Sequence, residues 1–311
     1  MLYSKIMKEM VIMLTKRKES LDNSVSSGVN LVLNIFFILY SAICTLPLLL
    51  VLAVSFSTEK DIVLGGYRLI PETFTFEAYK AIFEGSNKIF NAYATTIIVT
   101  IVGVVVGVFI TAMTAYPLSR KNLKYRNKIS FYLYFTSLFN GGLVPWYLVY
   151  TQLLPLRNTI LALIIPNMIG AFNIIIMRTY FNNNIHDSLI ESARIDGASE
   201  TRTFFTIVLP LATPVLATIG LFTSLGYWND FFRPLIFISE DKFINLQYLL
   251  YKIQSNIEFI NTNPEYFGKV HVPSETARMA MVIMAVGPIV FVYPFLQRYF
   301  IKGLTIGSVK G

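Results

Sequence analysis

The sequence predicts an all-α, polytopic membrane protein with six transmembrane helices, and three observations carry that reading. Of its 311 residues, 54% are hydrophobic and 14% charged, against roughly 45–50% and about 25% in soluble domains. The apolar residues gather into long runs close to the ~20 residues that a helix needs to cross hydrocarbon. Each run is also about twice the ~10 residues of a barrel strand, so its amides have to find partners within the run itself.

The runs cover residues 29–55, 92–117, 129–152, 159–181, 207–225 and 276–300. Residues 1–28 hold Lys5, Lys8, Lys16, Arg17 and Lys18 around a short apolar patch, and no small-residue cleavage site follows the first run. They are expected to be a cytoplasmic N-terminal segment, not a cleaved signal. Between the second and third runs lie Arg120, Lys121, Lys124, Arg126 and Lys128 with no acid among them, which assigns this loop to the cytoplasm. Six spans then put both termini and the loop at 186–206 inside, with 301–311 a cytoplasmic tail. Segments 56–91 and 236–275, where acids offset bases, fall outside. The net charge of +8 is thus a topology signal. Nucleic-acid binding would call for a clustered basic face with stacking aromatics on a soluble domain, and none is present.

Other chemistry is poorly supplied. Cys44 stands alone inside the first run and has no disulfide partner. His186 and His271 fall on opposite sides of the membrane, which argues against a metal site. No G-x-x-x-x-G-K-[ST] phosphate loop occurs, so the chain does not hold ATP by that device.

The loop from Glu191 to Pro214, ESARIDGASETRTFFTIVLPLATP, predicts two short helices. Residues 187–196 form the first, with Leu189, Ile190, Ala193 and Gly197 spaced three and four apart on one side. Asp196-Gly197 reads as its stop, because glycine tolerates the left-handed conformation that ends a helix. Ser199 caps a second helix, Glu200 favours its positive end, and that helix runs through Phe204 and Phe205 to Ile207. Pro210 and Pro214 then each remove a hydrogen bond and bend the fifth span. Joining two spans needs only a handful of residues. This loop instead offers small residues, Ala193, Gly197 and Ala198, rimmed by Glu191, Arg194 and Arg202, as a docking element does.

These residues carry a resemblance. E-A-A, three residues, G, nine residues, I-x-L-P marks the cytoplasmic loop of importer-type ABC transporter permeases. Here it stands as Glu191-Ser192-Ala193, Gly197 and Ile207-Val208-Leu209-Pro210, with all spacings kept. Ser192 replaces the usual Ala, and His186 stands where Pro is common. Phe139-Asn140-Gly141-Gly142-Leu143-Val144-Pro145 resembles a signature of the branch that imports complex oligosaccharides. The ending Gly303-Leu304-Thr305-Ile306-Gly307-Ser308-Val309-Lys310-Gly311 is similar to the tail of the small maltose-transporter permease, which reaches into the ATPase dimer.

The resemblance implies a type I ABC importer permease fold in a bacterial cell membrane. It also implies a second, non-identical permease subunit, two ATPase domains forming a homodimer, an extracellular solute-binding lipoprotein and an oligosaccharide cargo. ATP and Mg would sit on the partner ATPase, and this chain would carry no cofactor and no enzymatic activity. Glu191, Ser192, Ala193, Asp196, Gly197 and Ala198 would make the ATPase contact. Glu191 would pair with a base in the ATPase groove, and Gly197 would permit the close turn.

A transport path calls for polar and aromatic groups on the spans, because such groups are costly in hydrocarbon. Asn140, Trp146, Tyr147, Tyr227, Trp228 and Asn229 suit a glycan conduit by stacking and hydrogen bonding. The same types also serve interface belts and helix–helix bonds. Gly103-Val-Val-Val-Gly107 reads as close helix packing. Leu246, Leu249, Leu250, Ile253 and Ile257 fall at helical spacing on the outer segment and predict an amphipathic helix on the membrane surface or a partner. Rival readings are an importer of peptides or other solutes, and an ion-coupled secondary transporter. The latter calls for buried ionisable residues and an inverted repeat or broken helices, and no matching halves are visible. A membrane enzyme lacks a catalytic cluster.

Overall fold

The computed structural model describes residues 26–83, 87–263 and 275–308. Among them the chain is helical, with one isolated bridge between Ser57 and Phe74. A long first helix, α1 (Ser27–Ser55), leads through two short helices, α2 (Glu59–Gly65) and α3 (Glu77–Phe83), into α4 (Lys88–Ser119). Then come α5 (Arg126–Leu138) and α6 (Leu143–Leu148), the latter ending in a π turn at Val149–Leu153. The pair α7 (Leu161–Asn167) and α8 (Ala171–Asn184) precedes α9 (Asp187–Ile195), and the pair α10 (Glu200–Leu211) and α11 (Thr213–Trp228) follows it. The chain continues through α12 (Phe232–Phe237) and α13 (Leu246–Thr262) to α14 (Glu275–Ser308).

Among the described residues, two helices, α1 and α4, are each long and apolar enough to cross a membrane, and the count rises to four if each bent pair is one span. The expectation of continuous helices at 129–152, 159–181 and 207–225 is therefore corrected: each run is interrupted. In the first, α5 has only 13 residues, about 20 Å of rise. It stops before Gly142, whose φ of +90° no ordinary helix accommodates. The Asn140 side chain holds this turn by accepting from the Gly142 amide at 2.8 Å. In the second, Pro166 lies in a 3-10 turn at Ile165–Asn167, and α8 leaves α7 at 51°. In the third, α10 and α11 meet at 76° around Ala212, the bend expected from Pro210 and Pro214. The carbonyls freed there are taken up locally. The Thr213 hydroxyl donates to Pro210 O at 2.7 Å and the Tyr180 hydroxyl to Leu211 O at 3.3 Å, as a chain in lipid requires.

The core forms around α4. Its C-terminal half, with Ala112, Ala115 and Tyr116, is buried with Met177 and Phe181 of α8, Ile190 of α9, Phe204 and Val208 of α10, and Ile219 of α11. Two glycines set the closest approaches. A Cβ on Gly103 would stand 2.4 Å from the Tyr227 ring, and one on Gly107 would stand 2.5 Å from the Met168 carbonyl, beside the α7–α8 break. The Gly103 and Gly107 pattern is thus packing within this chain. The α13 stripe also turns inward: Leu246, Leu250 and Ile257 are buried with Trp228, Ala277 and Met281. This corrects the expectation of a membrane-surface or partner-facing helix. At the start of α14, the buried Glu59 carboxylate accepts from the amides of Glu275 and Thr276, each at 3.0 Å, and from the Thr276 hydroxyl at 2.9 Å. It thereby occupies the positive end of α14.

Candidate functional site

The elbow between α8 and α10 is built by two local signals. Helix α9 ends in paired reverse bonds: the Gly197 amide reaches Arg194 O at 3.1 Å and the Ala198 amide reaches Ala193 O at 2.9 Å. That double closure needs a left-handed residue at Gly197, which has φ +78°. Ser199 then accepts from the Arg202 amide at 3.2 Å and starts α10, as its position predicts.

Of the expected docking residues, Glu191, Ser192, Asp196 and Gly197 are exposed and Ala198 is half-buried. Nothing lies within 4 Å of where a Gly197 Cβ would be, so the tip presents bare backbone. Ala193 departs from expectation. It is 7% exposed and, like Ile190, faces inward, so the chain's own core uses it. Leu189 and Gly197 do not join that inward face. Ile195, which the sequence reading passed over, is 86% exposed beside the glycine. An aliphatic side chain at an otherwise polar tip is the signal that was available for it. The Ser192 hydroxyl donates to Ser188 O at 2.9 Å, a bond within α9 that leaves the helix surface smooth.

The elbow is tied to the C-terminal end of α4 through residues not expected in that role. Asp187 accepts from Arg120 at 3.0 Å and from Lys121 at 2.9 Å. The Lys121 hydrogen bond foremost, with the Lys121 and Arg120 charges, holds the Asp187 carboxyl below the usual range. Glu200, expected only to favour the start of α10, accepts from the Tyr116 hydroxyl at 2.9 Å and from Arg194 at 2.5 Å. An acid opening α9 opposite a loop of five bases was the legible sign of the first tie. Between α4 and α10 lies a cavity of about 450 Å³ whose walls include Met113, Pro117, Leu123 and Phe205.

The expected path residues do not form one surface. Tyr227 is 1% exposed and donates its hydroxyl to Ile164 O at 2.7 Å. Trp228 is 6% exposed and donates Nε1–H to Ala285 O at 2.8 Å. Both are core residues of this chain, a correction, because burial with the polar atom satisfied by backbone leaves no group to offer a sugar. Trp146 and Tyr147 are half-buried and stand on the Phe237 ring, with centroids 4.8 and 5.9 Å away. Asn140 and Asn229 are exposed, and Asn229 accepts from Gln247 at 3.4 Å. Of the tail residues, Gly303, Leu304, Thr305 and Gly307 lie within α14, which runs on to Ser308 instead of ending at residue 300. No proline follows Pro294 to stop it. Lys310 lies outside the described residues, as does His271. Among the described residues no group of three or more His, Cys, Asp or Glu could hold a metal.

Residues 103–306 match the family described as binding-protein-dependent transport system inner membrane component. The chain is 39% identical over 277 residues to the polygalacturonan/rhamnogalacturonan transport system permease protein YtcP of Bacillus subtilis, covering 89% of this chain and 96% of that protein. It is 40% identical over 270 residues to Protein LplC of the same organism, covering 87% and 90%. With the arabinooligosaccharides transport system permease protein AraQ of Halalkalibacterium halodurans it shares 30% over 291 residues, covering 90% and 96%. A chain in the crystal structure of a bacterial ABC transporter involved in the import of the acidic polysaccharide alginate superposes with a TM-score of 0.75 at 29% identity, over 88% of this chain and 96% of that one. The family match over most of the chain and the superposition on a chain of that solved importer make this protein a member of the binding-protein-dependent transport system inner membrane component family.

Proposed function

We propose that this chain is the membrane-spanning permease subunit of an ATP-driven importer of oligosaccharides, delivered by an extracellular solute-binding lipoprotein. The elbow carries the reading. It is a rigid, exposed turn with bare backbone at Gly197 and Glu191, Asp196 and Ile195 around it, the form expected of a knob that enters a groove on another protein. That protein is the ATPase, present as two domains that bind ATP and Mg. A second, non-identical permease completes the pathway. In this reading the chain crosses a bacterial cell membrane six times with both termini in the cytoplasm, the broken runs each counting as one span. The part played by this chain's own residues is mechanical: α9 follows the ATPase and the helices joined to it change their tilt. The oligosaccharide cargo is supported by the printed roles of the relatives named above. Broken helices also occur in ion-coupled transporters, but family membership favours the ATP-driven reading.

The test is a pair of substitutions at the turn, in the complete complex reconstituted in proteoliposomes with its binding protein and supplied with oligogalacturonides or arabino-oligosaccharides. Gly197→Asn keeps a residue that enters the left-handed region readily and is expected to retain much of the uptake. Gly197→Trp obstructs the close approach and is expected to abolish uptake while the protein still inserts. Parental transport by the Trp variant would remove the docking role. Uptake that persists without ATP would remove the ABC reading altogether.

A further inference from the structure

The elbow is joined covalently only to α8 and α10, yet its ionic partners lie on α4 and just beyond it. Asp187, in the first turn of α9, accepts from Arg120 and Lys121, the two residues that follow α4. Glu200, in the first turn of α10, accepts from Tyr116, one turn before the end of α4. The Arg120 guanidinium also stands 5.9 Å from the Tyr116 ring centroid, so the two attachments are neighbours. Arg178 of α8 donates to Leu118 O at 2.9 Å and adds a third contact to the same end of α4. Apolar packing of Ile190, Phe204 and Val208 on Ala112, Ala115 and Tyr116 lies beside them, and the 450 Å³ cavity opens next to the ties, with Tyr116, Arg120, Arg194 and Glu200 among its walls. The apolar contacts are non-directional, and the polar ones bracket the elbow at both of its helices.

We propose that Asp187 and Glu200 are positioning residues for transport, clamping the elbow to the inner end of α4 so that α4 moves with it as one body. The inference rests on the elbow being the part that the ATPase moves. Its consequence lies at the other end of the rod. Helix α4 is a continuous 32 residues, and through Gly103 and Gly107 it touches Tyr227 of α11 and the Met168 carbonyl at the α7–α8 break. Displacing its inner end thus acts on both bent spans at once, through contacts too close to slide independently. Without the clamp the elbow would reach α4 only through apolar packing and through α8, with nothing to fix its register on the end of α4.

The experiment uses the complete complex in proteoliposomes, in a Cys44→Ser background, with spin labels at Asn122 beyond α4 and Ser188 on the elbow. In the parent the distance between the labels is expected to stay the same in the nucleotide-free and ATP–vanadate-trapped states. In the Asp187→Asn, Glu200→Gln double variant it should change between states, and oligosaccharide transported per ATP hydrolysed should fall about tenfold, within the usual range for coupling between sites. Tyr116→Phe, which removes one hydroxyl and endangers folding least, should show a smaller change of the same kind. Combining Asp187→Lys with Arg120→Glu and Lys121→Glu should restore the ratio towards the parent's. An unchanged label distance and transport ratio in the double variant would overturn the clamp, as would a parent whose distance already changes between states. Failure of the docking role itself reads differently: the Ser188 label would then be indifferent to adding the ATPase, and Gly197→Trp would transport normally.

Discussion

The close approach of α4 to α11 makes Gly103→Ala the sharpest probe of this fold. The new methyl would lie 2.4 Å from Tyr227 Cζ and 2.5 Å from Cε2, distances that force the ring to move. The ring is not free to do so cheaply, because it is 1% exposed and its hydroxyl is bonded to Ile164 O. Overpacking a filled core costs about 1–3 kcal/mol, and orphaning a buried hydroxyl and its carbonyl costs about 1–3 kcal/mol more. Against this stands a gain of roughly 1 kcal/mol from replacing a mid-helix glycine by alanine. The central expectation is a loss of about 3 kcal/mol, which for a domain of this general size lowers the melting temperature by about 6–12 °C. Gly220→Ala is the matched control, since its methyl would meet Val104 and Val108 at ordinary separations of 3.8 and 3.9 Å and should be neutral or mildly stabilising. Thermal unfolding in detergent, followed by loss of the monodisperse peak, reads both variants. Adding Tyr227→Leu to Gly103→Ala should cost less than the two single changes summed. If Gly103→Ala melts with the parent, or the double variant shows no such relief, the packing argument is wrong.

Three further outcomes follow from the geometry. Trp228→Phe removes the bond to Ala285 O and should cost about 1 kcal/mol of stability while leaving the KM for oligosaccharide uptake unchanged; a raised KM at parental stability would return Trp228 to the transport path. Glu59→Gln turns one oxygen that faces the Glu275 and Thr276 amides into a donor, and should speed amide exchange in the first turn of α14 by the equivalent of about 1–3 kcal/mol; unaltered exchange there would show that the cap is dispensable. Because the Asp187 carboxyl titrates below its ordinary value, the tie it makes is complete above the unfolded value of about 3.9. It is lost only as pH falls through the lower folded value. Proteolytic nicking of the elbow in detergent should therefore be flat from about pH 5 to 8, and a rise in nicking between pH 6 and 7 would point to another group.

Much of the elbow was legible because its determinants are local. Asp196-Gly197 and Ser199 act on amides within a few residues of themselves, so composition and spacing suffice to predict the stop and the start. The breaks at Gly142 and at Met168–Gly170 were not legible from apolar content, because hydropathy averages over a window and is blind to the sign of φ. The roles of Tyr227 and Trp228 were hidden for another reason. An aromatic ring with one polar atom fits a sugar or a backbone carbonyl equally well, and the deciding partners, Ile164 and Ala285, are 63 and 57 residues away. The stripe on α13 shows the same division: its amphipathic face was visible, but the surface it covers belongs to α14 and the end of α11. Likewise the acid at Asp187 and the bases at 120 and 121 were each visible, and their meeting required the fold.

The three interrupted runs differ in how their irregular backbone is covered, and that difference bears on assembly. At Ala212 the freed carbonyls meet hydroxyls of Thr213 and Tyr180. At the α7–α8 break, the Met168 carbonyl lies against Gly107 of α4. At the α5–α6 break there is no such cover among the described residues: residues 139–144 are all exposed, and neither α5 nor α6 contains a buried residue. Counting from the N-terminal end of α5, this break sits about 20 Å along the helix, less than the hydrocarbon thickness of about 30 Å. Non-helical backbone at that depth persists only beside protein or a water-filled cavity. In the membrane, then, the Asn140-Gly141-Gly142 turn has to be covered by protein beyond the described residues or to line water, and Asn140, which already holds the Gly142 amide, is the side chain through which that cover would be felt.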